Sequence, residues 1–266
     1  MRRFDIGKGC LSLIAGCALS GAVYAEEAAN FSMAVGLDYS SGKYGTSSTT
    51  EITSVPVRAL YESGDWLWRL AVPYLSVTGD GSVVVSGSHG GRRGMSTTPG
   101  TTINTRTTQS GLGDVVAMVS HALVASEDGN SGLDLAGRIK FGTASGTLGS
   151  GKNDYAAQVS TYTTFGDFSP NLMLGYEVLG SSAEQPLDNA AYGSVGASYA
   201  FGEQMHAGAE YWYAQRASVT GYEQRELSLY AGTQIGRDIH LRAYLMRGLS
   251  DGSADNGYGL SLSAGF

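Results

Sequence analysis

Cysteine and long apolar runs are scarce in this chain of 266 residues, and each scarcity excludes a class of protein. Both cysteines lie within the first 17 residues, so a framework of disulfide bonds is excluded for the rest of the chain. Beyond the N-terminal segment no run of about 18 apolar residues occurs, which excludes a helical membrane protein. Charged residues make up only 15%, but apolar residues make up 42%, too many for a disordered chain.

The first 25 residues have the layout of a signal peptide. Basic residues precede an apolar stretch over residues 10–23, and Val23-Tyr24-Ala25 supplies the small residues at which signal peptidase cleaves. Two alternatives stay open: a true first helix, for which the stretch is short, and a lipoprotein box at Ile14-Ala15-Gly16-Cys17, which would leave Cys17 acylated. Cleavage after Ala25 leaves 14 basic and 23 acidic residues, a net charge of −9. An exported, acidic chain argues against a nucleic-acid partner.

What the chain has in abundance is glycine (39 residues) and tyrosine (16 residues), arranged in one repeated pattern. Segments of about ten residues alternate apolar with small or polar side chains, and each is followed by a turn or a loop. This alternation predicts a strand with one oily face, of the length that crosses a bilayer at a tilt. We predict twelve strands: Phe31–Ser40, Ile52–Glu62, Asp65–Val77, Leu112–Val124, Gly132–Gly142, Asp154–Phe165, Phe168–Leu179, Ala190–Phe201, Met205–Gln215, Glu223–Ile235, Asp238–Gly248 and Asn256–Phe266.

The pattern fits either a soluble sandwich, which buries the oily face between two sheets, or a membrane barrel, which turns it to lipid. Three observations favour the barrel. The connections mostly alternate short and long, with Ala125–Ser131 as the exception, and the even strand count returns both ends to the short-turn side. The chain also ends on Phe266, which is similar to the terminal signature of bacterial outer-membrane barrels and indicates a partner in the barrel-assembly machinery.

We therefore predict an all-β protein of the Gram-negative outer membrane. A signal peptide over residues 1–25 precedes a twelve-stranded antiparallel up-and-down barrel over residues 26–266, which contacts outer-membrane lipid. Tight turns predict how its strands pair. A two-residue turn at Ser63-Gly64 places Tyr61 opposite Trp66 on the oily face. Two further pairs are predicted at the same rim: Phe165 with Phe168, and Phe201 with Met205.

Charged residues follow the same parity and are expected to line a narrow polar lumen and set its selectivity. In the predicted register Arg58 lies opposite Arg69, which is unfavourable unless an acid such as Asp38 or a ligand intervenes. The alternative is a network that only satisfies buried charges and has no role toward a solute. The ten predicted lumen residues are Asp38, Arg58, Arg69, Asp134, Arg138, Lys140, Glu177, Glu210, Glu226 and Arg242. Four uncharged residues join them: Gln158, Tyr162, Ser194 and Tyr244.

The longest connection runs from Thr78 to Ser110 on the extracellular side and is rich in glycine, serine and threonine. It is either a disordered surface loop or a lid folded over the mouth of the barrel. In the second case its basic residues are the candidates for a loop gate: His89, Arg92, Arg93 and Arg106.

Catalytic and cofactor motifs are not recognised in the chain. The segment Gly146–Lys152 has the spacing of a phosphate loop, but Asn153 stands where such a loop has serine or threonine, and a strand follows instead of a helix. We predict an outward-facing hairpin loop there. No metal-ligand spacing is found, and neither His121 nor His206 lies in a serine-hydrolase motif. We therefore predict no catalytic residue, no metal and no cofactor.

Five short segments carry a family resemblance. Gly111–Val115 opens a strand, and Ile139–Gly146 is followed by Leu148–Tyr155. Together with Val55–Arg58 and Val72–Tyr74, these motifs resemble the transporter-like outer-membrane family catalogued under the MetA pathway of phenol degradation. Phe141-Gly142-Thr143 departs from that family's usual Pro-Thr-Gly. The resemblance implies a barrel that passes small molecules, often aromatic or apolar.

The sequence thus predicts an outer-membrane channel for the passive diffusion of small organic solutes. A second hypothesis is a non-conducting barrel whose extracellular loops bind a partner or a surface. A third is a lipid-modifying barrel enzyme that would depend on His121 or His206.

Overall fold

The chain closes into a β-barrel with twelve strand positions. The computed structural model describes residues 30–81, 83–85, 95–97, 106–144, 148–182, 186–219 and 221–266. The predicted signal peptide and Cys17 lie outside these residues. In chain order the strands are β1 (Asn30–Gly42), β2 (Thr50–Ser63), β3 (Trp66–Gly79), β4 (Val83–Val85), β5 (Met95–Thr97), β6 (Thr107–Leu112), β7 (Val115–Ala125), β8 (Ser131–Phe141), β9 (Asp154–Thr163), β10 (Phe168–Val178), β11 (Ala190–Phe201), β12 (Met205–Ala214), β13 (Gln224–Ile235), β14 (Ile239–Gly248) and β15 (Asn256–Gly265).

Barrel strands that follow one another in the chain pair antiparallel all the way around the sheet. The sheet closes because β1 pairs with both β2 and β15, which makes the first and last barrel strands neighbours. Both β6 and β7 lie against β3 and together form the fourth barrel strand, while β4 and β5 pair with each other in the connection between β3 and β6. The predicted twelve-stranded antiparallel barrel is therefore confirmed.

The fourth barrel strand is interrupted, in contrast to the continuous strand predicted over Leu112–Val124. The pairing of β3 with β7 stops at Ala71, and its pairing with β6 resumes at Tyr74. Pro73 lies between them and has no N–H to donate to the ladder, although its carbonyl accepts from Gly113 N–H at 2.8 Å. The break leaves Asp114 buried at the start of β7.

Outward-facing side chains form an apolar belt around the barrel. In β13, Leu227 and Leu229 are exposed while Glu226 and Ser228 are buried, and the same alternation recurs in the other strands. An exposed apolar belt on a closed barrel matches the hydrocarbon of a membrane, with the buried face turned to the lumen. Within the described residues, no helix is long and apolar enough to span a bilayer.

Tight turns form the periplasmic rim, and one of them corrects the predicted register. Ser63 pairs with Trp66, so the turn is Gly64-Asp65 and Tyr61 lies opposite Trp68, not Trp66. The reason is the backbone of Gly64, whose positive φ of 54° suits the first central position of a hairpin turn. The two other predicted rim pairs are confirmed: Phe165 with Phe168, and Phe201 with Met205.

Residues 126–130 form a connection that is longer than the tight turns of this rim. Hydrogen bonds from its own side chains stabilise its conformation. Asp128 accepts hydrogen bonds from the Ser126 hydroxyl at 2.6 Å and from the Asn130 N–H at 3.0 Å. These bonds stabilise the ionised carboxylate and lower the pKa of Asp128. The longer connection is therefore an ordered turn and keeps the short-turn rim intact.

Candidate functional site in the barrel interior

All ten charged residues predicted for the lumen lie on the inward face of their strands, and none is exposed. Six of them are buried: Arg138, Lys140, Glu177, Glu210, Glu226 and Arg242. The other four are partly buried: Asp38, Arg58, Arg69 and Asp134. Their inward placement follows from strand parity, because every second side chain of a strand points to the same face.

Asp38 is the centre of one polar cluster, formed by three strands that meet across the β1–β15 closure. Its carboxylate lies 3.9 Å from Arg58 Nη2 and accepts a hydrogen bond of 2.7 Å from the Tyr244 hydroxyl. Arg58 pairs with Ala71 in the sheet, and Arg69 pairs with Leu60. The predicted opposition of Arg58 and Arg69 is therefore wrong, since the turn lies one residue later than expected. The predicted neutralising partner, Asp38, does lie beside Arg58.

Arg138 is the centre of a second, more deeply buried cluster on β8–β11. Its guanidinium lies 3.6 Å from Glu177 Oε1 and donates to the Tyr192 hydroxyl at 3.3 Å. The Tyr192 hydroxyl in turn donates to Gln158 Oε1 at 3.2 Å. Tyr192 also stacks on Trp212, with ring centroids 5.5 Å apart. Paired charges and an aromatic wall thus occupy the same side of the lumen.

Lys140 joins the strands to the extracellular loops. Its side chain is fully buried, with Nζ 2.8 Å from Asp114 Oδ2 and 3.0 Å from Asp154 Oδ2. The two carboxylates also accept backbone N–H groups of the loops, Asp114 from Ala144 at 2.9 Å and Asp154 from Gly180 at 2.8 Å. Buried charges are stable only when paired and hydrogen-bonded, as these are. The cluster therefore fixes loop positions at the mouth.

Tyrosine rings lie flat on the inner wall because glycines face them from the adjacent strand. A Cβ on Gly175 would come within 2.3 Å of the Tyr192 ring, and one on Gly208 within 2.5 Å of the Tyr230 ring. Arg242 in turn lies over the Tyr230 ring, 4.3 Å from its centroid. Glycine at these positions lets the large rings pack against the wall, because any side chain there would collide with them.

An apolar cluster closes the extracellular end of the interior, where the sequence predicted a polar passage. Three members come from barrel strands and four from different connections between barrel strands, and all are buried. We call this set the mouth cluster, and it consists of Tyr44, Ile52, Leu75, Val83, Leu148, Met246 and Ala254. Burial also raises the pKa of the Tyr44 hydroxyl above its usual range, so this hydroxyl stays neutral and donates or accepts toward Ser40 Oγ at 3.3 Å.

The mouth cluster corrects two expectations. Inward faces are not only small or polar, since Leu60, Leu67 and Met118 are also buried lower in the barrel. The loop at Gly146–Lys152 does not simply face outward, because Leu148 is 3% exposed and packs in the mouth cluster. The alternation of the sequence could not separate these residues, because β2 and β3 carry large apolar side chains on both faces.

The long connection contributes to the mouth through Val83, which is buried in the mouth cluster. Arg106, at its far end, donates to the carbonyl of Thr49 at 2.9 Å and lies 2.5 Å from Glu51 Oε2, on the exposed rim. Three of the four predicted gate residues, His89, Arg92 and Arg93, lie outside the described residues.

The two histidines of the enzyme hypothesis lie on opposite faces of the wall. His121 lies on the outer face, stacked on Trp66 at 4.4 Å. His206 lies on the inner face over Gly232, whose added Cβ would come within 2.4 Å of the imidazole. They therefore do not belong to one site.

Replacing an inward arginine is expected to change single-channel conductance more than replacing an outward one. Arg58→Ala removes one positive charge from beside the Asp38 carboxylate and should shift the current toward cations. Arg69→Ala should act in the same direction. Arg247, exposed and bonded to Asn256 Oδ1 at 2.7 Å, is the matched control. Planar-bilayer recordings measure all three, and equal effects would remove Arg58 and Arg69 from the conduction path.

Comparison with known proteins identifies the fold. No family model and no curated protein matches the sequence, so the resemblance to the phenol-degradation family stays a prediction. Among solved structures, the COG4313 outer membrane channel from Pseudomonas putida F1 has a TM-score of 0.65 and 13% identity, over 93% of this chain and 98% of that one. The NanC porin has a TM-score of 0.55 and 12% identity, over 87% and 98%. The β domain of the Bordetella autotransporter BrkA has a TM-score of 0.54 and 14% identity, over 90% and 100%. This chain therefore has the fold of an outer-membrane β-barrel.

Proposed function

We propose that the barrel is a passive channel of the outer membrane for small organic solutes, with a preference for aromatic or apolar ones. The observation that carries this proposal is the mouth cluster, an apolar constriction above a lumen of paired charges. A hydrated ion or a sugar must shed water to enter such a constriction, whereas an apolar solute gains free energy from burial there.

The interior below the mouth also suits an aromatic solute. Tyr192 and Trp212 present a stacked pair of rings with Met173 and Ala214 packed beside them. Aromatic rings bind one another in offset or edge-to-face contacts that contribute about 0.5–1.5 kcal/mol beyond the buried area. The neighbouring Arg138 and Glu177 carry opposite charges, so their electric fields largely cancel at the position of a solute.

The lumen lining carries both basic and acidic side chains, which predicts weak ion selectivity. The ten inward residues comprise five basic and five acidic side chains, and Asp114 and Asp154, buried beside Lys140, add two further acidic ones. An anion-selective pore would instead carry a row of basic side chains along its length. The proposal assigns these residues to conduction and assigns none of them to catalysis.

A flux measurement in liposomes tests the proposed function. Liposomes that carry the barrel should take up nucleosides and aromatic carboxylates faster than sugars of similar mass, with empty liposomes as the baseline. Planar bilayers should show small currents with reversal potentials near zero. Absence of both current and flux would contradict the channel and favour a non-conducting barrel.

The alternative of a loop-binding barrel has one observation in its favour. Among the described residues of the extracellular loops, three large hydrophobic side chains are exposed: Val219 (78%), Leu249 (52%) and Tyr222 (48%). If the liposomes are impermeable, this surface becomes the candidate site for a partner.

A further inference from the structure

One part of the outer wall is concave, although the outer wall of a barrel is convex as a whole. Small side chains face outward at Ala59, Ala117 and Gly137, on strands β2, β7 and β8. They form the floor of a groove of about 600 Å³, which we call the outer groove. Its walls are large apolar side chains: Tyr61, Trp68, Leu70, Val119, Ile139 and Tyr155. Four residues of the inward face also line it, among them Arg69 and Arg138.

The outer groove runs across the strands from Tyr61 and Trp68, near the periplasmic rim, to Tyr155, the second residue of β9. Trp68 lies two residues above the Gly64-Asp65 turn, and the register leads from Trp68 to Val119 and from there to Gly137. From β2 to β9 the groove crosses four strand spacings, about 19 Å at ~4.8 Å each. One leaflet of a bilayer provides about 15 Å of hydrocarbon. The groove is therefore long enough for one acyl chain.

Next to Trp68, just beyond the residues that line the outer groove, the wall has the features of a headgroup site. Trp66 stacks on His121 with an interplanar angle of 7°, and its ring lies 6.0 Å from that of Trp68. His121 Nδ1 lies 3.2 Å from the Asp65 carbonyl, which can only accept, so Nδ1 carries the hydrogen. Indole rings at this level place an apolar body in hydrocarbon and an N–H donor among headgroups.

Charge at this end favours an amine headgroup. The two adjacent turns, Gly64-Asp65 and residues 126–130, carry Asp65, Glu127 and Asp128 and contain no lysine or arginine. Their carboxylates attract an ammonium group and repel an anionic headgroup.

We propose that the outer groove binds one phosphatidylethanolamine molecule of the periplasmic leaflet, with an acyl chain over Gly137 and its headgroup at the Trp66–His121 pair. Lipid is the occupant because the groove is continuous with the apolar belt, which faces hydrocarbon. A second barrel is a poor match, since two convex walls touch along a line and do not fill a concave surface. This binding site is independent of conduction through the lumen.

Native mass spectrometry after extraction from vesicles of equimolar phosphatidylethanolamine and phosphatidylglycerol tests this proposal. The wild-type barrel should retain one phosphatidylethanolamine. Gly137→Leu fills the floor of the groove, and a Cβ there meets no atom within 4 Å, so the barrel should fold normally. Retention should fall about tenfold, as expected for lost contact with about two methylene groups. Ala231→Leu, at an exposed outward position on β13, should retain lipid as the wild type does.

Three results would overturn the proposal. The first is equal retention by Gly137→Leu and the wild type, with heat-dependent gel mobility showing that both are folded. The second is retention of phosphatidylglycerol as often as phosphatidylethanolamine. The third is a lipid-free wild type, including a wild-type dimer that Gly137→Leu dissociates, which would assign the outer groove to a second copy.

Discussion

Replacing Lys140 with methionine is expected to destabilise the folded barrel by about 3–5 kcal/mol, the loss typical of removing one partner from a buried ion pair. The Lys140 side chain is completely buried between Asp114 and Asp154. Methionine fills a similar volume but leaves two carboxylates without a cation in a site that excludes water. Urea unfolding and refolding in lipid vesicles measures the change as a shift in midpoint at unchanged slope.

Two further variants make this prediction specific. Lys152→Met removes an exposed charge from the loop that follows β8 and should change stability by less than about 0.5 kcal/mol. Adding Asp154→Asn to Lys140→Met removes one of the two stranded charges and should recover part of the loss. A Lys140→Met barrel that unfolds at the wild-type urea concentration would show that the cluster does not stabilise the fold.

The positions of the strands, and which of their side chains point inward or outward, were predictable because both depend on local sequence. Alternation of period two assigns a face to each residue, whatever its partner strand. Glu226 and Leu227, adjacent in β13, are therefore placed correctly inside and outside without knowledge of the closed sheet. The same parity places the ten charges inside, where ionised groups avoid the free energy of transfer to lipid.

The register between β2 and β3 was predicted incorrectly because it depends on one residue of the turn. Ser63-Gly64 and Gly64-Asp65 are both acceptable two-residue turns by composition. The second turn shifts the pairing of β2 with β3, so that each residue of β2 lies opposite a residue two positions later in β3. The positive φ of Gly64, followed by Asp65, selects the second. A turn at Ser63-Gly64 would place Arg58 opposite Arg69, whereas in the barrel Arg58 pairs with Ala71.

The mouth cluster was not predicted because it is assembled from distant parts of the chain. Tyr44, Leu148 and Ala254 lie in three separate loops, each rich in glycine and serine, and a single apolar residue in such a loop has no periodic signal. Their burial arises only when the closed barrel brings the loops over one opening. The relevant information is therefore in the topology and not in any one segment.

Leu148→Asn is expected to raise ion conductance about tenfold and to reduce the flux of uncharged nucleosides. Leu148 is 3% exposed within the mouth cluster, and an amide there would bind water in a constriction that is otherwise lined by apolar side chains. Lowering the barrier for a hydrated ion by about 1.4 kcal/mol gives this tenfold change. The nucleoside loses an apolar contact in the same step, so the two fluxes should move in opposite directions. Planar-bilayer currents and liposome uptake measure them separately.

Leu249→Asn is the matched control, because Leu249 lies in an extracellular loop but is 52% exposed and outside the mouth cluster. It should leave both fluxes unchanged. A general loosening of the loops would raise ion and nucleoside fluxes together in the Leu148 variant, whereas a wetted constriction raises one and lowers the other. Unchanged ion conductance in a folded Leu148→Asn barrel would mean that solutes do not pass through the mouth cluster.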